Sequence, residues 1–313
     1  MHSSISTKRV VLISLIVDLL DIVTNLLAAV FTGSAVIFAE AVQGVIDSIG
    51  SIFLIVGYKR SRLPKDAGHP FGYTKEVFFW ALLSSMIMLF LGSGLSIWKG
   101  IDQMIHPELL HNKWLALGIL CFSVLTNGFA LNQSIRRLSI KGVSFWNAFA
   151  ESSSQLVRTA FLRDLLGTTS ACVGLVSIFL YDVAGIVIFD GIGAIIIGLL
   201  MALLAVVLIT QAQNFIIGQS VSRHVMKKIR RSVEKIPHIV TINRLVGVYI
   251  GSDQILVDLD VDLNKELTTV EIERVLDSIK ETIIADVPET LSVQIDLNSP
   301  KVKEEVKIER TKN

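Results

Sequence analysis

The chain has 313 residues, 51% of them hydrophobic and only 18% charged, with a mean hydropathy of +0.61. That balance excludes an ordinary soluble globular domain and reads as an integral membrane protein. A net charge of +1, with no basic run interleaved with aromatic residues, gives no case for a nucleic-acid partner.

The short polar stretch Met1 to Arg9 leads straight into a full-length apolar segment. It lacks the shorter apolar core and small-residue cleavage site of a removed signal, so a retained first span is expected. Six segments are long and apolar enough to cross a bilayer: Val10–Phe31, Ala35–Tyr58, Val77–Ile101, Leu115–Leu131, Leu156–Tyr181 and Val183–Ile209. Lys8 and Arg9, then Lys59, Arg60, Arg62 and Lys65, then Arg136, Arg137 and Lys141 all fall on one side. The positive-inside rule therefore places both termini in the cytoplasm. Trp80, Trp98 and Trp114 fall near span ends, where indole favours the membrane interface. Gly193 and Gly198 read as close helix-packing positions, and Cys121 and Cys172 as inert packing residues inside apolar segments.

After Gln211 the apolar runs give way to mixed charge. Val221–Lys235 has helical spacing, and Ile239–Ile250 and Ile255–Leu263 alternate as strands. Thr268–Ile284 is a second amphipathic helix with Glu271 and Glu273 in its first turn, and Leu291–Leu297 a last strand. The expected organisation is a six-helix transmembrane domain over 1–212, an α+β domain of order αββαβ, ferredoxin-like, over 213–299, and a charged tail over 300–313.

Polar side chains interrupt the spans in a regular way. Glu40, Gln43 and Asp47 are spaced i, i+3, i+7 and share one face of the second span. Asp18, Asp21 and Asn25 repeat that spacing in the first span, and Asp164 stands in the fifth. A carboxylate at membrane depth is costly unless it faces a wet cavity or a partner, and acids on three spans are hard to explain as glue between helices. A bound cation removes the cost. Oxygen ligands suit divalent metals, and an acid that holds a metal and a proton in turn supplies metal–proton exchange.

Several motifs run in a fixed order: Thr32-Gly33-Ser34, Ala39-Glu40-Ala41 with Asp47, and His69-Pro70-Phe71-Gly72-Tyr73-Thr74-Lys75-Glu76. Asp164, Phe189-Asp190-Gly191 and the αββαβ tail follow. On these marks the chain resembles the cation diffusion facilitator family of divalent-metal transporters over nearly its whole length. Glu151-Ser152 with Thr159–Asp164 is similar to the branch that carries a Glu-Asp pair in the fifth span. The resemblance implies a homodimer that exports a divalent metal by proton antiport, from a tetrahedral site at Gln43, Asp47, Ala160 and Asp164. The sequence departs from that pattern, since Gln43 offers only a carbonyl oxygen, Ala160 offers nothing, and Arg163 stands where the branch has its Glu.

Two readings follow. In one, Asp18 or Asp21 completes an oxygen-only site with Gln43, Asp47 and Asp164, which leans away from zinc towards manganese or iron(II). Arg163 then has to turn to another acid, such as Glu40 or Glu151. In the other, the site has decayed and the chain is a non-transporting partner subunit or metal-responsive scaffold. The resemblance also gives His69 either a loop-ordering or an accessory metal role. It further implies an acid partner for Lys75 below the sixth span; residues 213–223 contain none, which leaves Glu76, Asp190 or a different packing of the membrane halves. His224 and His238 make a poor regulatory metal site, and Asp258, Asp260 and Asp262 read as a solvated sheet face. No Ser/His/Asp set, phosphate loop or HExxH argues for an enzyme, and no prosthetic group is expected.

Overall fold

The computed structural model describes residues 22–70, 72–139, 155–251 and 254–297. They fall into two compact units that meet between Ile217 and Gly218. In the first unit α1 is described over Ile22–Thr32, followed by α2 (Ala35–Ser61), α3 (Glu76–Ile105), α4 (Lys113–Leu138), α5 (Gln155–Ala184) and α6 (Ile188–Ile217). Helices α2 to α6 are each long and apolar enough to span a membrane. The described part of the expected first span is the shorter apolar helix α1.

Large apolar side chains line the outside of the bundle, among them Phe90, Leu125, Phe129 and Leu203, as lipid contact requires. Polar groups lie inside instead: Asn25, Gln43, Ser84, Ser123 and Ser170 are all buried. Cys121 and Cys172 are free and turn outward from the bundle. Helix α3 departs from a regular helix over Met88–Ser93, where one π turn widens the coil. Its Gly92 meets the end of the Met201 side chain from α6 there, and an inserted side chain of this kind is an ordinary companion of a π turn. A Cβ on Gly198 of α6 would stand 3.1 Å from the Ser93 carbonyl oxygen, which suits a residue without a side chain.

Asp190 explains two sequence motifs at once. It opens α6, is 0% exposed, and reaches across to the start of α2. There its carboxylate accepts from the Ser34 hydroxyl at 2.6 Å and from the backbone N–H groups of Ala35 at 2.7 Å and Val36 at 3.2 Å. The Ser34 oxygen in turn accepts from the N–H of Ile37. A negative group on the orphan N–H groups of a helix start is favoured by hydrogen bonding and by the helix dipole together. Gly33 supplies the left-handed residue (φ 67°) that turns α1 into this cap.

At the other end of the bundle Lys75 donates to the Ile216 carbonyl at 3.2 Å, among the last unsatisfied carbonyls of α6. Neither Glu76 nor Asp190 is its partner, contrary to expectation. Glu76 accepts from Arg60 at 2.7 Å and from the Trp80 indole at 2.9 Å.

The second unit runs α7 (Arg223–Val233), β1 (Ile239–Gly251), β2 (Gln254–Leu263), α8 (Thr269–Asp286) and β3 (Thr290–Leu297). Its sheet has the order β1-β2-β3, with an antiparallel hairpin and then a parallel pair. Ile255, Val257, Leu259 and Val261 of β2 face Ile229, Val233, Ile279 and Ile283 of the helices. The alternate residues Asp258 and Asp260 take Arg244 (2.7 Å) and Asn243 (3.3 Å) on the opposite face. Helix α8 starts where the Thr268 N–H and hydroxyl both donate to Glu271 at 2.8 Å. Those bonds hold the Glu271 carboxyl below the usual glutamate range.

The Asp190 cap carries the first prediction. Asp190→Ala leaves the Ser34 hydroxyl and two backbone N–H groups without their acceptor in a buried place, at a cost of roughly 2–4 kcal/mol. Denaturant unfolding of the full-length protein in detergent measures it, and a variant as stable as the parent would contradict the assignment.

Candidate metal site

Where each expected site residue lies follows from the register of the helices. A Cβ at Gly167 would stand 3.6 Å from Gln43 Nε2, and one at Gly174 would stand 2.8 Å from Val36 Cγ1. These contacts advance by seven residues along each helix in opposite directions, so α2 and α5 run antiparallel as neighbours. Asp164, three residues before Gly167, therefore falls level with residue 46, beside the level of Asp47. The two acids expected to share an ion stand at the same depth on adjacent helices. Asp18 and Asp21 lie outside the described residues, as does Glu151. Ala160 has no ligand atom, and Gln43 is buried, its Oε1 accepting no hydrogen bond among the described residues.

Arg163 decides the charge at this level. Its Nε approaches Asp47 Oδ1 at 4.0 Å, Nη1 donates to the Asp47 carbonyl at 3.4 Å, and Nη2 donates to Ser84 Oγ at 2.9 Å. The side chain is only 12% exposed. Gly50 makes the seat possible, since a Cβ there would stand 2.5 and 2.6 Å from the two Nη atoms and 2.6 Å from Ser84 Oγ. The condition that Arg163 turn to another acid, such as Glu40 or Glu151, is not met at Glu40, and Glu151 lies outside the described residues. Glu40 lies two helical turns from Asp47, while the guanidinium is already seated one residue from Asp164 and against Asp47.

Asp164 takes a different partner, the hydroxyl of Ser134 on α4, which donates to its Oδ2. Ser134, Asn127 and Ser123 form one stripe of α4 facing α5 and α1, and sequence reasoning passed over all three. Their spacing of four and seven residues was the available signal. Among the described residues no three His, Cys, Asp or Glu side chains cluster.

The sequence signature described as the cation efflux transmembrane domain matches residues 11–213, and that of the cation efflux protein cytoplasmic domain matches residues 221–299. The chain belongs to the cation efflux family. Among its relatives is the mitochondrial proton-coupled zinc antiporter SLC30A9 of Xenopus laevis, 26% identical over 293 residues, 89% of this chain and 52% of that one. Metal tolerance protein C4 of Arabidopsis thaliana is 27% identical over 75% of this chain and 52% of that one. Magnetosome protein MamB of a Magnetospira strain is 23% identical over 87% of this chain and 88% of that one. The chain thus spans about half the length of the first two. It is a multi-pass membrane protein of this family.

His69 of the family-like loop is exposed and bonds to its own neighbours. Its N–H donates to Asp66 at 2.7 Å, Tyr73 donates to the same carboxylate at 2.6 Å, and the His69 ring lies 4.0 Å from that of Tyr73. The Tyr73 hydroxyl, with the His69 N–H, holds the Asp66 carboxyl below the usual aspartate range. This is a loop-ordering arrangement.

A guanidinium at Asp47 competes with any cation for the same carboxylate. Removing its charge (Arg163→Gln) or its seat (Gly50→Ala) should each tighten equilibrium Mn²⁺ binding by the full-length protein about tenfold, on the scale of a neighbouring charge. Titration calorimetry reads it, and unchanged or weaker binding in both variants would show that Arg163 does not oppose the ion.

Proposed function

We propose that the chain exports a divalent metal cation from the cytoplasm in exchange for protons, with Asp47 and Asp164 as the acids that carry the cation. The reading is carried by one observation: the helix register sets both carboxylates at one depth of the bundle. Gln43, one turn from Asp47, adds a neutral oxygen, and Asp18 or Asp21 of the first span supplies the remaining ligand. Relatives named as a proton-coupled zinc antiporter and a metal tolerance protein support the same class of cargo. An oxygen-only set favours manganese or iron(II) over zinc.

The residues give the exchange a physical form. A metal and a proton compete for the same carboxylate oxygens, so protonation of Asp47 and Asp164 from the far side releases the cation. Arg163 is the counter-charge of Asp47 when no metal is bound, which lets the empty carrier reset without a bare carboxylate in the bundle. The Ser134 hydroxyl steadies Asp164 in that state. The protein works as a homodimer with both termini cytoplasmic, the orientation that sets Lys59, Arg60 and Arg136 facing the cytoplasm.

The same Arg163 contact favours a second reading, a non-transporting partner or scaffold in which the guanidinium has replaced the cargo for good. Metal-stimulated proton flux separates the two. Sealed vesicles containing the full-length protein should take up Mn²⁺ in a manner driven by a pH gradient, and Asp47→Ala and Asp164→Ala should each lower uptake about 100-fold or more. Absence of metal-stimulated proton flux in the parent would establish the scaffold.

A further inference from the structure

The least explained polarity of the membrane unit lies beyond Asp47, away from the arginine-rich side. Asn25 is 2% exposed, Gln43 4% and Ser170 0%. Asn25 Oδ1, Gln43 Oε1 and Ser170 Oγ have no hydrogen-bond partner among the described residues.

These groups belong to one constellation. Asn25 donates through Nδ2 to Ser123 Oγ at 3.1 Å, and Asn127, one turn along α4, donates through Nδ2 to the Ser123 carbonyl at 2.9 Å. Asn127 Oδ1 would stand 2.6 Å from a Cβ on Gly167, the same bare backbone that Gln43 approaches. Gly167 therefore leaves room for an amide from α2 and an amide from α4 at one point of α5. Ser170 lies on the same stripe of α5, between Gly167 and Gly174, and falls level with residue 40 of α2. Ile22 Cγ1 would stand 3.0 Å from a Cβ on Gly44, which sets Asn25 level with residue 41. Oxygens from α1, α2, α4 and α5 thus gather in two adjacent layers just past Asp47.

A buried acceptor left without a donor is costly, and three of them along one route call for a guest that several oxygens can contact together. The acceptors are amide and hydroxyl oxygens, with no thiolate or imidazole in the set, which suits a hard cation. Glu40, buried on the same face of α2 as Gln43 and level with Ser170, adds an acid at this depth. The amide and hydroxyl oxygens are neutral and hold the ion weakly, as a station on a path requires: binding strong enough to admit the ion and weak enough to let it leave.

We infer that Asn25, Gln43, Asn127 and Ser170 form a second station for the divalent cation, which it enters still partly hydrated after leaving Asp47 and Asp164. This rests on the transport reading above and adds the route of departure to it. Asp47 and Asp164 set affinity, and the amide and hydroxyl oxygens of the station set the rate of release.

The test uses the full-length protein with Mn²⁺ as the probe, comparing uptake into sealed vesicles with equilibrium binding in detergent. Asn127→Leu and Ser170→Ala should slow maximal uptake about tenfold while leaving Kd within about twofold of the parent. Asn127→Asp keeps the shape and adds a charge, so it should bind Mn²⁺ about tenfold tighter and release it more slowly. Parental uptake in Asn127→Leu and Ser170→Ala, or an unchanged Kd in Asn127→Asp, would overturn the station and leave the carboxylate site standing. Uptake that survives Asp47→Asn would instead remove Asp47 as a carrier of the ion, and absence of uptake in the parent would remove the transport reading itself.

Discussion

A carboxylate inside a hydrocarbon slab persists only where charge or hydrogen bonds answer it, and Asp190, Asp47 and Asp164 are answered in three different ways. Asp190 is answered by a helix start, with three donors from Ser34, Ala35 and Val36. Asp47 is answered by a guanidinium and Asp164 by a serine hydroxyl. The three solutions differ in what they permit. A carboxylate fixed on a helix N-terminus with 0% exposure is a permanent joint between α2 and α6. A carboxylate 4.0 Å from an arginine, or bonded to one hydroxyl, can exchange that partner for another. The same residue type thus serves as anchor at one end of the bundle and as a working group near its middle.

The balance at Asp47 depends on residues that do no chemistry. Gly50 leaves room for the guanidinium, Ser84 takes its second nitrogen, and Gly167 leaves room for two amides at one point of α5. A Cβ at either glycine would stand 2.5 or 2.6 Å from a polar atom, which would have to shift. Small residues inside a membrane bundle therefore decide where charge can sit as well as how closely helices approach.

Much of the architecture was legible in the amino-acid order, because hydropathy over a span-length window and alternation over a strand are strong periodic signals. Helix α8 with Glu271 in its first turn, and β2 with its aspartates on one face, follow from local rules and stand where those rules put them. Contacts that depend on tertiary geometry did not yield to the same reasoning. Lys75 was matched against acids, yet its acceptor is a backbone carbonyl at Ile216, and a carbonyl has no signature in the sequence. Whether Arg163 stays beside the paired acids or turns to Glu40 or Glu151 was left open, because linear order does not reveal that Gly50 opens a seat beside Asp47. Ser123, Asn127 and Ser134 carry a helical stripe that was readable in principle, but small polar residues in a span draw less notice than charged ones.

The account turns on whether Asp47 and Asp164, set at one level by the register of α2 and α5, close on a single ion. Anomalous scattering at the manganese edge, from crystals of the full-length protein grown with Mn²⁺, addresses this directly. The expected result is a peak bonded to carboxylate oxygens of both residues, with the Arg163 side chain withdrawn from Asp47. A peak bonded to neither acid, or an Arg163 still seated on Gly50 and Asp47 in the metal-loaded protein, would contradict it.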